Sequence, residues 1–590
     1  MRKQLIAITV VLFQSLLGWS QYVIKSNEEL QNLKQLPLEK AYLSTSSQVI
    51  FTGEYLYYGF YCFNAQNSRL STISAVGYVV LVNEEGEYIF EQKLKLDNGL
   101  GQGDFFVPTN LESGNYKLLA YTQWMKNSGL SQVFKMDVAI VNPYFTDQSA
   151  ILPKEDGNME SPNVDLANNT VPTDSSTVGL VFERSEFNTR EKVKFSVKNY
   201  KGYLGNGAYS IKVRKKSPLV HKGLNNAQNF SRAYLNVDKQ IRQGVGDSLF
   251  LPEQRGELLF GTVTDRQTGS PVSNTPVTVS LPGKEFVLKF TTTDEQGNFY
   301  TYLRKDYKER LAVVQLEDTE KDVDIKIGKP RSLKVEGLTF TAFHLDETLA
   351  EIIKKRSVYN QVENQFFSLK PDSLLLGDPI DPFDGGTPEI FTLDEYTRFP
   401  TFQETLVEIL NNAGYRNNAK GNDYIRIAQD FEKFNEEYNS FPAIVLIDGV
   451  LIPNHESIKE FDAKKIKTIK MIRDQFQLAN KQYQGILSIE TFDGDHFQNY
   501  NAGNAITTEI IKPIPVKNYF QQSYIEVGNS YDRIPDYRTL LFWKPFVEVE
   551  TNNLDFEFFT SDVSGEYEVI LDGFTSYGKP IGFSRTIRVK

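Results

Sequence analysis

Short strand patterns separated by polar turns recur along most of this chain. A turn with Gly, one residue, and then Tyr or Phe opening a strand occurs at Gly86-Glu87-Tyr88, Gly114-Asn115-Tyr116, Gly297-Asn298-Phe299 and Gly565-Glu566-Tyr567. Gly can supply the positive φ of a tight turn, and the aromatic residue fits a half-buried pleated surface. Strands at such short spacing are typical of β-sandwiches, so we predict a mainly β chain.

Length and charge limit the function classes. The 590 residues are enough for about four domains. The chain carries 64 basic and 75 acidic residues, a formal net charge of −11. Binding to a nucleic-acid backbone needs a clustered basic surface, so we predict no nucleic-acid partner. Because Cys62 is the one cysteine, no intramolecular disulfide can form, and its neighbours Tyr61 and Phe63 predict a buried strand position.

The first residues have the pattern of a secretory signal peptide. Met1-Arg2-Lys3 precedes an apolar run over 5–17, and Gly18-Trp19-Ser20-Gln21 follows it. The run is shorter than the ~20 residues that span a bilayer. We therefore expect a signal peptide over 1–21, cleavage near Ser20 or Gln21, an exported protein, and no transmembrane segment in the mature chain. No Cys follows the run, so we expect no lipoprotein anchor.

Composition and periodicity divide the rest of the chain. The predicted division is 22–145 a β-sandwich, 146–177 a linker, 178–250 a second small β-sandwich, 251–335 a third β-sandwich, 336–391 an irregular connector with a helix, 392–495 a small α+β domain, and 496–590 a C-terminal sandwich-like domain. Helices are predicted over 347–359 and 402–410. The apolar run 444–447 predicts a strand covered on both faces, against which the stripe Ile466, Ile469 and Ile472 would pack.

Two of these segments resemble known β-sandwich families. The first segment carries Gly53-Glu54, Gly103-Asp104-Phe105 and the run Gly114-Asn115-Tyr116-Lys117-Leu118-Leu119-Ala120-Tyr121. It resembles the macroglobulin-type (alpha-2-macroglobulin-like) β-sandwich of exported bacterial proteins. The segment 251–335 carries Gly261-Thr262-Val263, Pro271-Val272 and Asp294-Glu295-Gln296-Gly297-Asn298-Phe299. It is similar to the carboxypeptidase regulatory-like domain, which in its family holds no peptidase site.

The α+β segment resembles the plug domain of TonB-dependent outer-membrane receptors. The resemblance is carried by 442–450, 466–472 and 485–491. The roughly 100 residues that follow are too few for the barrel of such a receptor. Together the resemblances imply a multi-domain string of Ig-like and macroglobulin-like β-sandwiches with one small plug-like domain. They also imply an outer-membrane-associated protein at the periplasmic or the cell-surface face.

Motifs of catalysis and metal binding are incomplete. The stretch 573–579 matches most of a phosphate loop, but Pro580 replaces the required Ser or Thr and the context predicts a hairpin turn. In His455-Glu456-Ser457-Ile458-Lys459 the last residue stands where a zinc-protease helix needs its second His, so we predict an exposed segment.

Two acidic clusters offer carboxylate oxygens that could bind a cation. They are Asp378, Asp381 and Asp384, and Asp493, Asp495 and His496. Their spacing favours solvated loops, although a bound cation remains an alternative. We thus predict no catalytic, cofactor-binding or metal-ligating residues, no cofactor, and no enzymatic activity.

The predicted function is that of a non-enzymatic scaffold or accessory subunit. It would bind an outer-membrane β-barrel or other envelope protein of a transport or assembly machine through its sandwich and plug-like surfaces. The alternative is a surface glycan-binding or ligand-binding protein, or a hydrolytic enzyme with an unrecognised site. Aromatic residues are abundant enough for glycan binding, but most occupy strand positions that predict core.

Overall fold

A computed structural model describes the chain from residue 24 to 590. The residues outside the description are 25, 153–174, 222, 224, 236–242, 305–306, 308, 319, 376–381, 384–385, 419–420, 430–440, 479–480, 499, 501–503, 525–532 and 551–552, together with 1–23. The predicted signal peptide 1–21 therefore lies outside the described residues. Among the helices that are described, none has the length and apolar character needed to cross a bilayer.

The described part of the chain is mainly β, as predicted. Its first strands are β1 (Glu39–Thr45), β2 (Val49–Phe51), β3 (Tyr55–Asn64), β4 (Val76–Val82), β5 (Tyr88–Lys95), β6 (Leu100–Phe106), β7 (Gly114–Tyr121), β8 (Phe134–Val141), β9 (Val178–Phe182), β10 (Glu186–Phe187), β11 (Lys192–Asn199) and β12 (Gly207–Lys215). The middle strands are β13 (Glu257–Asp265), β14 (Pro276–Leu281), β15 (Val287–Thr292), β16 (Asn298–Leu303), β17 (Leu311–Leu316), β18 (Val323–Ile327), β19 (Ser373–Leu374), β20 (Glu389–Thr392), β21 (Ala413–Asn417) and β22 (Asp423–Ile427). The last strands are β23 (Ile444–Ile447), β24 (Val450–Leu451), β25 (Ile466–Leu478), β26 (Lys481–Thr491), β27 (Ala505–Glu509), β28 (Lys517–Asn518), β29 (Leu540–Val549), β30 (Asn553–Phe559), β31 (Gly565–Thr575) and β32 (Pro580–Val589). The α-helices are α1 (Asn27–Gln35), α2 (Ala227–Phe230), α3 (Ala350–Gln365) and α4 (Phe402–Ile409).

The chain forms two compact units. The smaller unit consists of Arg255–Arg331 and Gly377–Lys512. The larger unit consists of Ser20–Gln254, Ser332–Leu376 and Pro513–Lys590.

The first β-sandwich of the larger unit occupies the start of the chain. Its sheets have the strand orders β1-β3-β6 and β2-β8-β7-β4-β5. The interior is rich in aromatic rings, and Tyr42, Tyr58 and Phe60 have no exposed surface. Cys62 is also fully buried, which confirms its predicted position, and burial raises the pKa of its thiol.

The second β-sandwich of the larger unit combines two distant parts of the chain. Its sheets are β10-β32-β31-β12-β29 and β30-β11-β9. The segments 178–250 and 496–590, which we predicted as two separate domains, therefore supply strands to one sandwich. The physical reason is burial, because Val193 and Val197 of β11 need a second layer, which Ile211 of β12 and Tyr567 of β31 provide.

The segment between the two sandwiches differs in part from the predicted linker. Ile151 is fully buried in a cluster with Val49, Phe51 and Leu345, and the Leu345 N–H donates to the Ile151 carbonyl at 2.7 Å. Packed chain thus continues beyond residue 145. The rest of the predicted linker, 153–174, lies outside the described residues.

The smaller unit holds a sandwich and a five-stranded sheet. The sandwich has the orders β16-β13-β18 and β15-β14-β17-β27, so β27 crosses the boundary that we predicted at 495. The other sheet has the order β20-β25-β26-β23-β24. Helix α4 buries Phe402 and Leu406 in the core of this sheet, as the periodicity of 402–410 predicted. All four residues of β23 are buried, which confirms the strand covered on both faces.

The stripe Ile466, Ile469 and Ile472 was wrongly predicted to pack against this sheet. These residues lie in strand β25, which is part of it and pairs with β26. A register shift between Ile466 and Thr468 adds a residue, so Ile466 and Ile469 reach the same core despite their spacing of three. Ile472 contributes to the core on the opposite face.

Candidate functional site

A half-open cavity of about 970 Å³ lies in the larger unit. Its walls come from β3 and residues 45–49 of the first sandwich, from β12, β29 and β31 of the second sandwich, and from helix α3. These segments are far apart in the sequence and meet only through the fold.

Helix α3 is fixed on the turn between β2 and β3. Asn360 Nδ2 donates to the Thr52 carbonyl at 2.7 Å, and Asn364 Nδ2 donates to the Gly53 carbonyl at 2.9 Å. Gly53 has φ +85°, and a Cβ there would lie 2.8 Å from each of these amide nitrogens. Since side chains disfavour this φ, the turn and the contact both require glycine. The helix predicted over 347–359 is thus confirmed and gains a role in the cavity wall.

The same helix places a paired cation beside the cavity. Arg356 donates from Nε to Glu54 Oε1 at 2.8 Å and from Nη2 to Glu54 Oε2 at 2.7 Å. Its guanidinium also lies 4.4 Å from the centre of the Phe51 ring. Such a two-bond pair is strong and directional, so the charge of Arg356 is balanced within the wall.

Lys212 and Arg214 are two residues apart on β12 and therefore share a face of the strand. Lys212 Nζ donates to the Thr45 carbonyl at 2.6 Å. The guanidinium of Arg214 has longer contacts, 3.4 Å to the Ser46 carbonyl and 3.5 Å to Glu568. These two cations are less closely neutralised than Arg356.

The pKa values of both groups reflect this environment. Burial, followed by the charge of Arg214, lowers the pKa of Lys212 to about 7, while Asp572 and Glu568 act in the opposite direction. Burial also lowers the pKa of Arg214, against the effect of Glu568. Asp572 itself is buried, accepts from the Ala227 N–H at 2.9 Å and from Tyr42 Oη, and has a raised pKa because of burial.

Basic side chains outnumber acidic ones in the lining. The basic residues there are Lys212, Arg214, Lys215, Lys216, Lys355, Arg356, Lys370 and Arg538. The acidic residues there are Glu54, Glu363, Asp372, Glu568 and Asp572. Because the whole chain has a net charge of −11, this excess of cations is local. Arg538 and Lys216 are paired with Asp536 at 2.6 Å and Glu566 at 3.2 Å, which lie outside the lining. The excess that remains at the other basic residues favours a ligand that carries negative charge.

Aromatic rings form another part of the lining. Tyr55 stacks on Phe367 with ring centres 5.4 Å apart, and 45% of Phe367 is exposed. Deeper in the cavity Tyr57 lies 4.8 Å from the Tyr519 ring and 6.5 Å from the Trp543 ring. Rings of this kind offer broad apolar contact to a ligand without losing much side-chain entropy.

The motifs singled out in the sequence lie elsewhere or form turns. His455 was wrongly predicted to be exposed: it is 6% exposed, accepts from the Ile425 N–H at 2.9 Å, and burial lowers its pKa to about 4. The stretch 573–579 forms the predicted hairpin between β31 and β32, closed by a Thr575 N–H to Lys579 carbonyl bond of 2.9 Å.

The acidic clusters provide no assembled metal site in the described chain. Asp378, Asp381 and Asp384 lie outside the described residues. The second cluster, which includes His496, is described, yet no three His, Cys, Asp or Glu side chains of the described residues gather as metal ligands would.

The cavity residues were missed by sequence reasoning. One usable signal existed, because Lys212 and Arg214 are two residues apart and would share a face if both lay in one strand. Nothing in the sequence indicated that this face would meet Thr45, Glu54 and α3, which are more than a hundred residues away.

Comparisons with known proteins identify no family. No protein-family model matches the chain, and no curated protein matches it. Its structural neighbours include bacterial alpha-2-macroglobulins. Escherichia coli alpha-2-macroglobulin activated by porcine elastase is 9% identical, with a TM-score of 0.23 over 93% of this chain and 44% of that chain. Salmonella alpha-2-macroglobulin reacted with methylamine is 9% identical, with a TM-score of 0.22 over 97% of this chain and 40% of that chain.

A third neighbour is the adhesin InvE of Yersinia pseudotuberculosis. It is 11% identical, with a TM-score of 0.12 over 49% of this chain and 58% of that chain. The chain spans less than half the length of the macroglobulin chains that it matches. TM-scores this low establish no common fold, so the proposed function rests on the cavity.

Proposed function

We propose that this chain is a non-enzymatic, exported binding protein of the bacterial envelope that holds a partner protein in the cavity of its larger unit. The observation that carries the proposal is the excess of cations beside aromatic rings, among which Phe367 is exposed, in a cavity of about 970 Å³. A pocket of this size and lining is typical of ligand-binding sites.

The contacts in the cavity suit binding better than catalysis. Lys212 donates to a backbone carbonyl, and Arg356 is held by Glu54, so both groups are oriented by the fold. Neither has a hydroxyl, thiol or imidazole nucleophile among its hydrogen-bond partners given above. We therefore infer a binding role, in keeping with the incomplete catalytic motifs of the sequence.

The partner that we propose is an outer-membrane β-barrel or another envelope protein of a transport or assembly machine. The signal-peptide pattern of residues 1–21 supports export. The plug-like segment around β23 supports association with the outer membrane, at its periplasmic or cell-surface face. The chain would act there as a scaffold or accessory subunit.

A pull-down from detergent-solubilised envelopes tests this function. The wild-type chain should recover an outer-membrane protein in stoichiometric amount, and Arg214→Gln should reduce that recovery. Lys194→Gln is the matched control, because Lys194 is an exposed cation of the same sandwich that does not line the cavity. Equal recovery by both variants would place partner binding outside the cavity.

Glycan binding is the second candidate function. The stacked pair Tyr55 and Phe367, with Phe367 partly exposed at the cavity, is the observation that favours it. Soluble envelope glycan added to the pull-down should leave protein recovery unchanged if the partner is a protein. Displacement of the recovered protein by glycan, together with loss of glycan binding in Phe367→Ala, would favour this second function.

A further inference from the structure

We propose that the occupant of the cavity is an extended acidic peptide segment of the partner, with its carboxylates at Lys212 and Arg214 and its main chain along β29. This inference rests on the proposed binding function and names the chemistry that the site recognises.

Lys212 and Arg214 keep hydrogen-bonding capacity for a ligand. An ammonium has three N–H donors, and Thr45 O is the acceptor that the described residues provide to Lys212 at 2.6 Å. The guanidinium of Arg214 makes only contacts of 3.4 and 3.5 Å, which are long for charged hydrogen bonds. A carboxylate between the two groups would form shorter bonds to both.

The edge strand β29 of the second sandwich lies at the cavity. Strand β29 ends the order β10-β32-β31-β12-β29, so among the described strands it pairs on one side only. Residues 540–543 of β29 line the cavity. Backbone N–H and C=O groups at such an edge can pair with an added extended segment. A peptide offers this pairing, whereas a free phosphate or a lipid headgroup does not.

Size and lining agree with a peptide of several residues. The cavity volume of about 970 Å³ lies at the upper end of the ~300–1,000 Å³ found for ligand pockets. Trp543 belongs to the edge strand, and Tyr57 lies with its ring centre 6.5 Å from the Trp543 ring. Trp543 is opposite Lys212 in the pairing of β12 with β29, so this ring and the cations share one face of the sheet. Every second residue of an added strand would face the cavity, so we expect both acidic and aromatic residues at these cavity-facing positions of the bound segment.

Fluorescence anisotropy with defined probes tests the inference on the full chain. The probes are a labelled peptide in which every second residue is Glu or Phe and the residues between them are Ser, its counterpart with Gln in place of Glu, inorganic phosphate, and vesicles that contain anionic lipid. The acidic peptide should bind and change the emission of Trp543, and the Gln peptide should bind about tenfold more weakly, the effect of losing ~1.4 kcal/mol of charged contacts. Arg214→Gln should weaken binding by a similar factor, and Lys194→Gln should leave it unchanged.

Further measurements keep the outcomes distinct. Circular dichroism checks that Arg214→Gln is folded, and Lys212→Gln provides a second variant of the same site. Equal binding of both peptides, or no effect of either cavity variant, would overturn the inference. Displacement of the peptide by phosphate at equal concentration, or vesicle binding without peptide binding, would assign the cations to a phosphate or a lipid. If envelope recovery depends on Arg214 while the peptide fails to bind, the binding function stands and the ligand class is wrong.

Discussion

Lys212 holds a titratable charge where its surroundings disfavour one. Burial and the neighbouring Arg214 lower its pKa to about 7, and the carboxyl groups facing it, Asp572 and Glu568, offset this only in part. Removing this ammonium from water costs free energy, and a bound anion would offset that cost by balancing the charge. The ammonium of Lys212 therefore destabilises the free protein, and a carboxylate bound as proposed above would reduce that cost.

The first prediction concerns stability and pH at Lys212. Its pKa is lower in the folded state, about 7, than the ordinary value of 10.5 that it regains on unfolding. Between these values the unfolded chain binds more protons, so the contribution of Lys212 to stability rises with pH through this window. Lys212→Met should remove that rise and stabilise the larger unit most at the acidic end. Urea unfolding of both proteins at several pH values measures the difference, and parallel curves would contradict it.

The second prediction separates contact from backbone strain at Gly53. Gly53→Ala should destabilise the larger unit by about 1–3 kcal/mol, because the new Cβ meets Asn360 and Asn364 at 2.8 Å and φ is +85°. Gly337→Ala is the control, since Gly337 lies in the same unit and has φ +84° but no atom within 4 Å of a Cβ. Chemical denaturation should show a smaller loss of unfolding free energy for the control variant than for Gly53→Ala. Equal losses of unfolding free energy would mean that the contact of residue 53 with helix α3 does not affect stability.

At the scale of elements, local patterns predicted which helices and strands form but not which strands pair with each other. The apolar run of β23 and the amphipathic spacing of α4 predicted both elements, and the Thr401 side chain accepts the Glu404 N–H as a helix N-cap should. The pairing of β11 with β30 joins residues more than 350 positions apart, and no local pattern encodes it. The stripe in β25 misled because a bulge changes which residues share a face.

The candidate site was less predictable for the same reason. The spacing of Lys212 and Arg214 was visible in the sequence, but their charge imbalance depends on Glu568 and on the carbonyl of Thr45, which only the fold brings near. His455 was misjudged because its partner, the Ile425 N–H, belongs to strand β22, which lies 30 positions earlier in the sequence. The spacing of residues along the sequence does not show which distant elements meet to form a site.

The third prediction concerns the turn between β23 and β24. Asp448 has φ +48° and accepts from the Thr491 N–H at 2.8 Å, the Thr491 hydroxyl at 2.6 Å and the His496 N–H at 3.2 Å. Asp448→Ala should cost the smaller unit about 1–3 kcal/mol, because buried donors lose their acceptor. Asp448→Asn tolerates the same φ and keeps one acceptor oxygen, so it should cost less. A thermal shift of equal size for both variants would contradict this account.

At the scale of the whole molecule, the cores of the two units consist of different residues. Leu446 of β23 packs with Phe286, which comes from the β14–β15 connection of the sandwich in the same unit. The five-stranded sheet and the sandwich of the smaller unit therefore share this core cluster, and neither should survive the loss of the other. The cavity, in contrast, is lined entirely by residues of the larger unit.

The last prediction follows from this division. Leu446 is 1% exposed, so Leu446→Asp buries an unpaired carboxylate at a cost of ~3–5 kcal/mol. Hydrogen–deuterium exchange of the full chain should show lost protection in β13–β18 and in β23–β26, and kept protection in β1–β8. Val407→Asp is the control, because Val407 on α4 is 64% exposed. Loss of protection limited to β23–β26 would contradict the shared core, and loss that extends to β1–β8 would contradict the separate stability of the two units.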